Sequence, residues 1–600
     1  MQRLASRLAG CCLPVLATLA LAASASAAPV AGPAGDAFYA PPSPLPAGSA
    51  GDLIWYRPTT VNLPGAPASK AWTVLYRSTD SKGAANAVTG TVIVPTTGIS
   101  GARPIVSYAF GTQGLAPRCA PSRQLSAGTE NYEQSNIIAA LQKGWAVVST
   151  DYAGYTTGDS PSYLAGVSEG NAVLDIVKAA TQIPSVGLSY AAKTAVWGYS
   201  QGGQAASFAG ERKATYAPGL NLAGVAAGGV PGDFFKTAKY LNGSAGASFL
   251  LGGVVGLATE FPDKIPFDEL SNDAGKAARD AAKNQCVFET LNAYRNADIS
   301  SFTKGGESLD ELLAIPSVNE VISGQALGTK AIPAPVYQYH GQADEFIPLD
   351  QSITLKKAWC AKGVKVKYDL FPSEHIATQT QAPLTVIPWL ADRFANRTPP
   401  TTCANTAPPP QSTADAPGGD FQVNLDKWQL KGSVYLAKLK QTLALPPTSS
   451  FTGSANLSTG LIDGQADITP FATTIKILGL GVKVSLIIEP AGRVNGTINL
   501  TDDGRLQMNA VAPVILKIRS FGAFGINFGA GCRTERPVLI PLQFDGSVGR
   551  LGNGTFTSVS EASFPQLENC GLYAPILSSL MSGPNQRFTL TEVPPAPKPY

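Results

Sequence analysis

Two hydrophobic rhythms in one chain predict an α/β domain built on a largely parallel sheet, followed by a separate all-β domain. Up to about residue 397, short apolar runs of the buried-strand kind alternate with stretches of helical spacing. Beyond a Pro-rich stretch, polar and apolar residues alternate in twos between turn signals. The third observation is an interruption: roughly 100 residues separate two strands of the first rhythm, too many for a loop, which predicts a helical insertion. At 600 residues the chain is also too long for a single core.

The N-terminus carries Arg3 and Arg7, an apolar stretch at 13–23 and then Ala25-Ser26-Ala27. That is the order of a secretory signal, so residues 1–27 read as a cleaved leader and the protein as secreted and extracellular. The apolar stretch is too short to span a bilayer, and no transmembrane segment is expected. Residues 28–50, rich in Pro, Ala and Gly, read as a flexible lead-in. The first domain, 51–397, opens with strands at 71–76 and 88–94 and continues with buried-type strands at 104–108 and 145–150. Val173, Leu174, Ile176, Val177 and Ala180 recur at helical spacing before the strand at 194–197. Strands at 223–229, 335–339 and 364–370 complete the alternation.

The insertion, about 231–333, contains helical segments at 274–284 and 309–314. Its apolar stretch 247–258 reads either as the core of this insertion or as the wall of an acyl-chain tunnel. Residues 398–419 include Pro399-Pro400 and Pro408-Pro409-Pro410 and have the composition of a linker. In the β domain, 420–600, Asp463-Gly464, Asp503-Gly504 and Asp545-Gly546 each lie between strand-like runs and predict hairpin turns.

Composition narrows the function classes. The chain is 44% hydrophobic and 14% charged with a formal charge of +3, and no basic block argues for nucleic acid as a partner. Two histidines and no CxxC spacing supply metal chemistry poorly, so neither a metal nor a cofactor is expected. Cys11 and Cys12 leave with the leader. The six that remain, Cys119, Cys286, Cys360, Cys403, Cys532 and Cys570, predict three disulfides in an exported chain, with fifteen connectivities open.

The chemistry starts at Gly198-Tyr199-Ser200-Gln201-Gly202, a nucleophile-elbow pattern with a strand before it and a helix-forming run after it. The turn is so tight that flanking glycines are needed, and it holds the serine hydroxyl above a sheet of the α/β-hydrolase kind. A serine needs a base, and of His340 and His375 only His375 leaves room for an acid between it and Ser200 at a strand end. Asp344, 31 residues before His375, is the candidate acid, with Glu345 as the neighbouring alternative. His340 reads as a structural residue at a strand end. Oxyanion donors are expected from the backbone amide of Gln201 and from the loop at 110–114, where Thr112 is the candidate.

These residues resemble the secretory lipase family of the Candida lipase A type over about residues 50–397. The likeness rests on Gly198-Tyr199-Ser200-Gln201-Gly202-Gly203, Ser107-Tyr108 running into Gly111-Thr112, Cys119-Ala120-Pro121-Ser122, His340-Gly341 with Asp344, and His375. It implies an α/β-hydrolase with a helical cap between nucleophile and acid, acting on acyl esters. It further implies Cys119–Cys286 and Cys360–Cys403 pairings, leaving Cys532–Cys570 for the β domain. The expected function is hydrolysis of carboxylic esters of lipids through an acyl-enzyme, at a lipid interface or on soluble ester. The rivals are amide hydrolysis or acyl transfer at the same site, and a non-catalytic surface-binding protein. A β domain beyond the linker is expected either to fold apart from the hydrolase or to pack over the cap.

Overall fold

The computed structural model describes residues 29–405, 407–414, 419–522, 526–528, 531–550 and 555–600. The leader assigned to 1–27 lies outside the described residues, as do 406 and 415–418 of the linker.

The first sheet is built from β1 (Val30–Ala31), β2 (Leu53–Thr59), β3 (Ser69–Thr79), β4 (Ala85–Pro95), β5 (Ile105–Ala109), β6 (Ala146–Thr150), β7 (Thr194–Tyr199), β8 (Leu222–Gly228), β9 (Val336–Gly341) and β10 (Val366–Phe371). Their spatial order is β1-β2-β3-β4-β6-β5-β7-β8-β9-β10. From β6 to β10 every pairing is parallel, while β2, β3, β4 and β6 pair antiparallel. Parallel strands need cover on both faces, and their near-continuous apolar runs supply it. One face packs Val173, Val177, Phe208 and Trp359 from three helices against the sheet. The other packs Ile137, Leu141, Val386 and Leu390. The helices of the cap, from Phe234–Leu241 to Pro316–Gly324, all fall between β8 and β9.

The second sheet takes in the C-terminal region and is antiparallel throughout, with fourteen strands among the described residues. Its longest strand, Arg505–Phe521, buries alternate residues from Ala510 to Ile518, as period two requires. The hairpin turn at 501–504 forms, with Gly504 at φ 76°. The other two expected turns do not. Asp463-Gly464 lies inside the strand Leu461–Asp467, and Asp545-Gly546 inside Val538–Ser547. A side chain at Gly464 would meet the Phe451 ring at 2.4 Å, so this glycine makes room for a ring rather than for a bend. The two aspartates face outward and pair with Arg493, just before the strand Val494–Leu500, and with Arg505 of the neighbouring strand.

Three boundaries need correction. Residues 28–50 are not a flexible lead-in over their described part: β1 pairs with β2, and Phe38 and Tyr39 are buried, with Tyr39 hydroxyl 3.0 Å from Ser122 Oγ. The Pro- and Ala-rich composition masked two aromatic anchors. The described linker residues are likewise held, since Thr402 N–H donates to Val366 and Thr413 N–H to Gln342. Finally, 420–600 does not belong wholly to the second sheet. It includes the helix Ala574–Met581, and its last strand, Lys598–Pro599, pairs with the edge of β10. Tyr600 then enters the first core, where its carbonyl accepts from Lys356 Nζ at 2.8 Å.

Candidate active site

The carboxyl ends of β7, β9 and β10 converge on one place. β7 ends at Tyr199, and the helix Gln201–Tyr216 starts one residue later, leaving Ser200 alone to make the turn at φ 58° and ψ −123°. This region is costly for a residue with a side chain and persists only where the surroundings enforce it. The glycines show the enforcement. A Cβ at Gly198 would lie 2.1 Å from Gly202 O, one at Gly202 2.0 Å from Ala109 O, and one at Gly203 2.3 Å from Gly228 O. Ser200 N–H is tied to Gly228 O at 2.9 Å, which holds the turn at the N-cap of the helix.

His375 opens the helix His375–Gln381 just past β10, and Asp344 sits in the turn past β9. His375 Nδ1 and Asp344 Oδ2 are 2.7 Å apart, and the other carboxylate oxygen accepts from Phe346 N–H at 3.1 Å and Ile347 N–H at 2.8 Å. Burial opposes ionisation of Asp344, but His375, His340 and the Ile347 amide outweigh it and hold the carboxyl below its usual range. An ionised Asp344 only accepts, so the proton of this contact lies on Nδ1, and in the neutral ring Nε2 carries the lone pair. The His375 ring lies between Tyr199, 4.8 Å away between centroids, and Phe346, 5.4 Å away. The first of these contacts sets it beside the residue preceding Ser200.

Glu345, the alternative acid, does not reach the ring. Its Oε2 accepts the backbone N–H of His375 at 3.1 Å. Burial, with the charges of Glu374 and Asp344, pushes its carboxyl well above the usual range. His340 is fully buried and its Nε2 faces the Ile347 carbonyl at 2.9 Å, so that nitrogen donates; burial pushes its pKa down.

The 110–114 loop is fastened at nearly every residue. Tyr152 hydroxyl donates to Phe110 O at 2.7 Å, Gly111 N–H to Glu133 at 2.7 Å, Tyr132 hydroxyl to Thr112 O at 2.8 Å and Tyr155 hydroxyl to Gly114 O at 2.5 Å. Thr112 Oγ1 lies 2.8 Å from Tyr163 hydroxyl. The Gly111 amide is therefore engaged by Glu133. Across the site, Gln201 Nε2 donates to Glu169 at 2.7 Å. Burial raises Glu133 to about 7 against three hydrogen bonds, and Glu169 to about 8.

Glu133, Glu169, Glu374 and the tyrosines around the loop escaped sequence reasoning. Glu374 caps the His375 helix, accepting from the N–H groups of Ile376 and Ala377, and the spacing of a capping carboxylate was the one signal that could have found it.

Disulfides join Cys119 to Cys286, Cys360 to Cys403 and Cys532 to Cys570. The first ties the segment after the loop to the cap, where Gly114 also bridges to Cys286. Among the described residues no helix is long and apolar enough to cross a membrane.

A profile of the secretory lipase family matches residues 121–402. The chain is 28% identical over 423 residues to lipase A of Moesziomyces aphidis, spanning 68% of this chain and 90% of that protein. It is 31% identical over 381 residues to a probable inactive lipase of Mycobacterium tuberculosis, spanning 61% of this chain and 83% of that protein. The crystal structure of Candida antarctica lipase A in its closed state superposes with a TM-score of 0.54 at 25% identity, covering 60% of this chain and 86% of that one. With this fold, this convergence of strand ends and these relatives, the chain belongs to the secretory lipase family of lipase- and esterase-type carboxylic ester hydrolases.

Proposed function

We propose that the protein hydrolyses acyl esters of lipids outside the cell, after loss of residues 1–27, with Ser200, His375 and Asp344 as its triad. The observation that carries this reading is the Asp344–His375 hydrogen bond beside a serine held at positive φ. In the reaction, His375 Nε2 takes the Ser200 proton as Oγ adds to the ester carbonyl. The oxyanion is met by the amides of Gln201 and Thr112. Collapse expels the alcohol, which leaves with the proton from His375, and the acyl group stays on Ser200. Water, deprotonated by the same nitrogen, then releases the acid. Asp344 keeps the ring oriented and stabilises its charged form.

An apolar cavity of ≈ 120 Å³ inside the cap, walled by Leu250, Leu251 and Leu257 of the helix Ala247–Glu260, supports a long acyl chain as substrate. The relative named as a probable inactive lipase keeps a silent reading in view for this chain. Purified mature protein assayed on p-nitrophenyl esters of graded chain length, on emulsified triglyceride and on an aminoacyl anilide separates the readings. Esters are expected to turn over well ahead of the anilide. Cleavage of the anilide alone, transfer outrunning hydrolysis, or no turnover by folded protein would each sink the proposal.

A further inference from the structure

The second sheet curls on itself. Its pairing path runs from the strand Val538–Ser547 through Arg505–Phe521, Gln422–Leu436 and Gly583–Val593 to Phe556–Phe564. The two ends touch where Gln543 N–H donates to Ser558 Oγ at 3.1 Å. Inside lie two apolar cavities of ≈ 120 Å³ and ≈ 80 Å³ that share Phe556 and Glu592 in their walls. On the strand Arg505–Phe521, Leu506 and Met508 face the first, and Ala512, Val514 and Leu516 the second. From Leu506 to Leu516 the strand advances about 34 Å at ~3.4 Å per residue, more than the length of one extended long acyl chain.

The near end of this lumen abuts the catalytic domain. It is closed by Ile376, Ala377 and Thr380 of the helix that His375 opens, and by Phe288 of the cap. Phe346 touches the His375 ring on one side and Phe421, a wall residue of the lumen, on the other.

Two features set the lumen apart from an ordinary core. Close-packed interiors keep few voids larger than a water, whereas here two follow in line. Glu592 lines both, enclosed by protein yet facing the open space, and its carboxyl has no partner among the described residues. Burial pushes that carboxyl up to about 7. A core carboxyl left unpaired is disfavoured, so Glu592 marks this space as something other than a finished core.

We propose that this lumen is a lipid-binding site that takes the alkyl chain of a long-chain fatty acyl ligand, its polar end toward the His375 helix and its methyl end deep in the sheet. The choice of ligand class rests on the lipase reading above. Hydrocarbon matches these walls, since a hydrophilic solute would give up its hydration for Glu592 alone.

The test uses full-length Ser200→Ala protein incubated with hexadecanoic acid carrying a terminal diazirine, followed by irradiation and peptide mapping. Saturable label is expected on lumen strands, in peptides containing Ala512 or Leu542. Ala512→Trp in the same background, whose indole fills the space, should cut that label about tenfold. Label confined to the cap cavity lined by Phe234 and Leu257, or no saturable label, overturns the proposal. If Ala512→Trp fails to fold, the map of the Ser200→Ala protein decides alone. Hydrolysis of a butanoyl ester by unsubstituted protein checks the lipase reading separately. Turnover without lumen label removes the lipid site and keeps the lipase; lumen label without turnover removes the lipase and keeps the lipid site.

Discussion

Asp344 and Glu592 are two enclosed carboxyls with opposite fates, one in each half of the molecule. Asp344 has a partner for each oxygen and stays ionised against its burial. Glu592 has none, and burial pushes it up to about 7. The hydrolase half concentrates its function in a few residues whose backbone is forced, such as Ser200 between Gly198 and Gly202. The β half spreads its character over a period-two pattern in which no single residue is decisive. Chemistry is held by geometry at a point, and a compartment by repetition along strands.

The contrast breaks first at the triad. Ser200→Ala and His375→Ala should each lower kcat by about 10⁴ to 10⁶, and Asp344→Asn by about 10⁴, with circular dichroism unchanged. A comparable loss from any single lumen substitution would erase the distinction between the halves. The next effect is structural. Replacing Cys119 and Cys286 together by serine should cost about 2–4 kcal/mol in denaturant unfolding, because the bridge closes a long loop and ties the 110–119 segment to the cap. An unchanged midpoint would show that the loop is held by its tyrosines and Glu133 alone.

The smallest effect concerns pH. Glu592 ionises in the folded protein near 7, whereas in the unfolded chain it ionises near 4.5. Between those values the folded state binds more protons, so this carboxyl's contribution is complete below about 4.5 and is lost as pH rises through 7. Glu592→Gln should therefore raise stability at pH 9 relative to pH 4 by about 1–3 kcal/mol, compared with the unsubstituted protein. Parallel pH–stability curves for the two would mean that the carboxyl has found a partner.

What the sequence made legible follows the same division. The strand–turn–helix of the elbow was readable because the turn demands glycine at fixed offsets, and His375 stood out as candidate base because only two histidines exist. Asp344 was preferred to Glu345 without a geometric reason, since adjacent carboxylates differ only in where the turn past β9 aims them. Glu133 and Glu169 were invisible because they act on a backbone amide and a side-chain amide brought near by folding, with no local spacing to mark them. In the β half the strands were readable from their alternation, but Asp463-Gly464 and Asp545-Gly546 misled. A glycine under a ring and a glycine in a turn look alike in sequence. The return of Lys598–Pro599 to β10 left no trace, because a two-residue strand has no period to read.

The central claim is that Ser200 is the nucleophile of an ester hydrolase. The most direct measurement is reaction of the mature protein with a fluorophosphonate, then intact-mass analysis and peptide mapping. One adduct per chain on Ser200, absent from Ser200→Ala and strongly slowed in His375→Ala, is the predicted result. Folded protein that takes no label, or carries it on another residue while Ser200→Ala still hydrolyses ester, would contradict the claim.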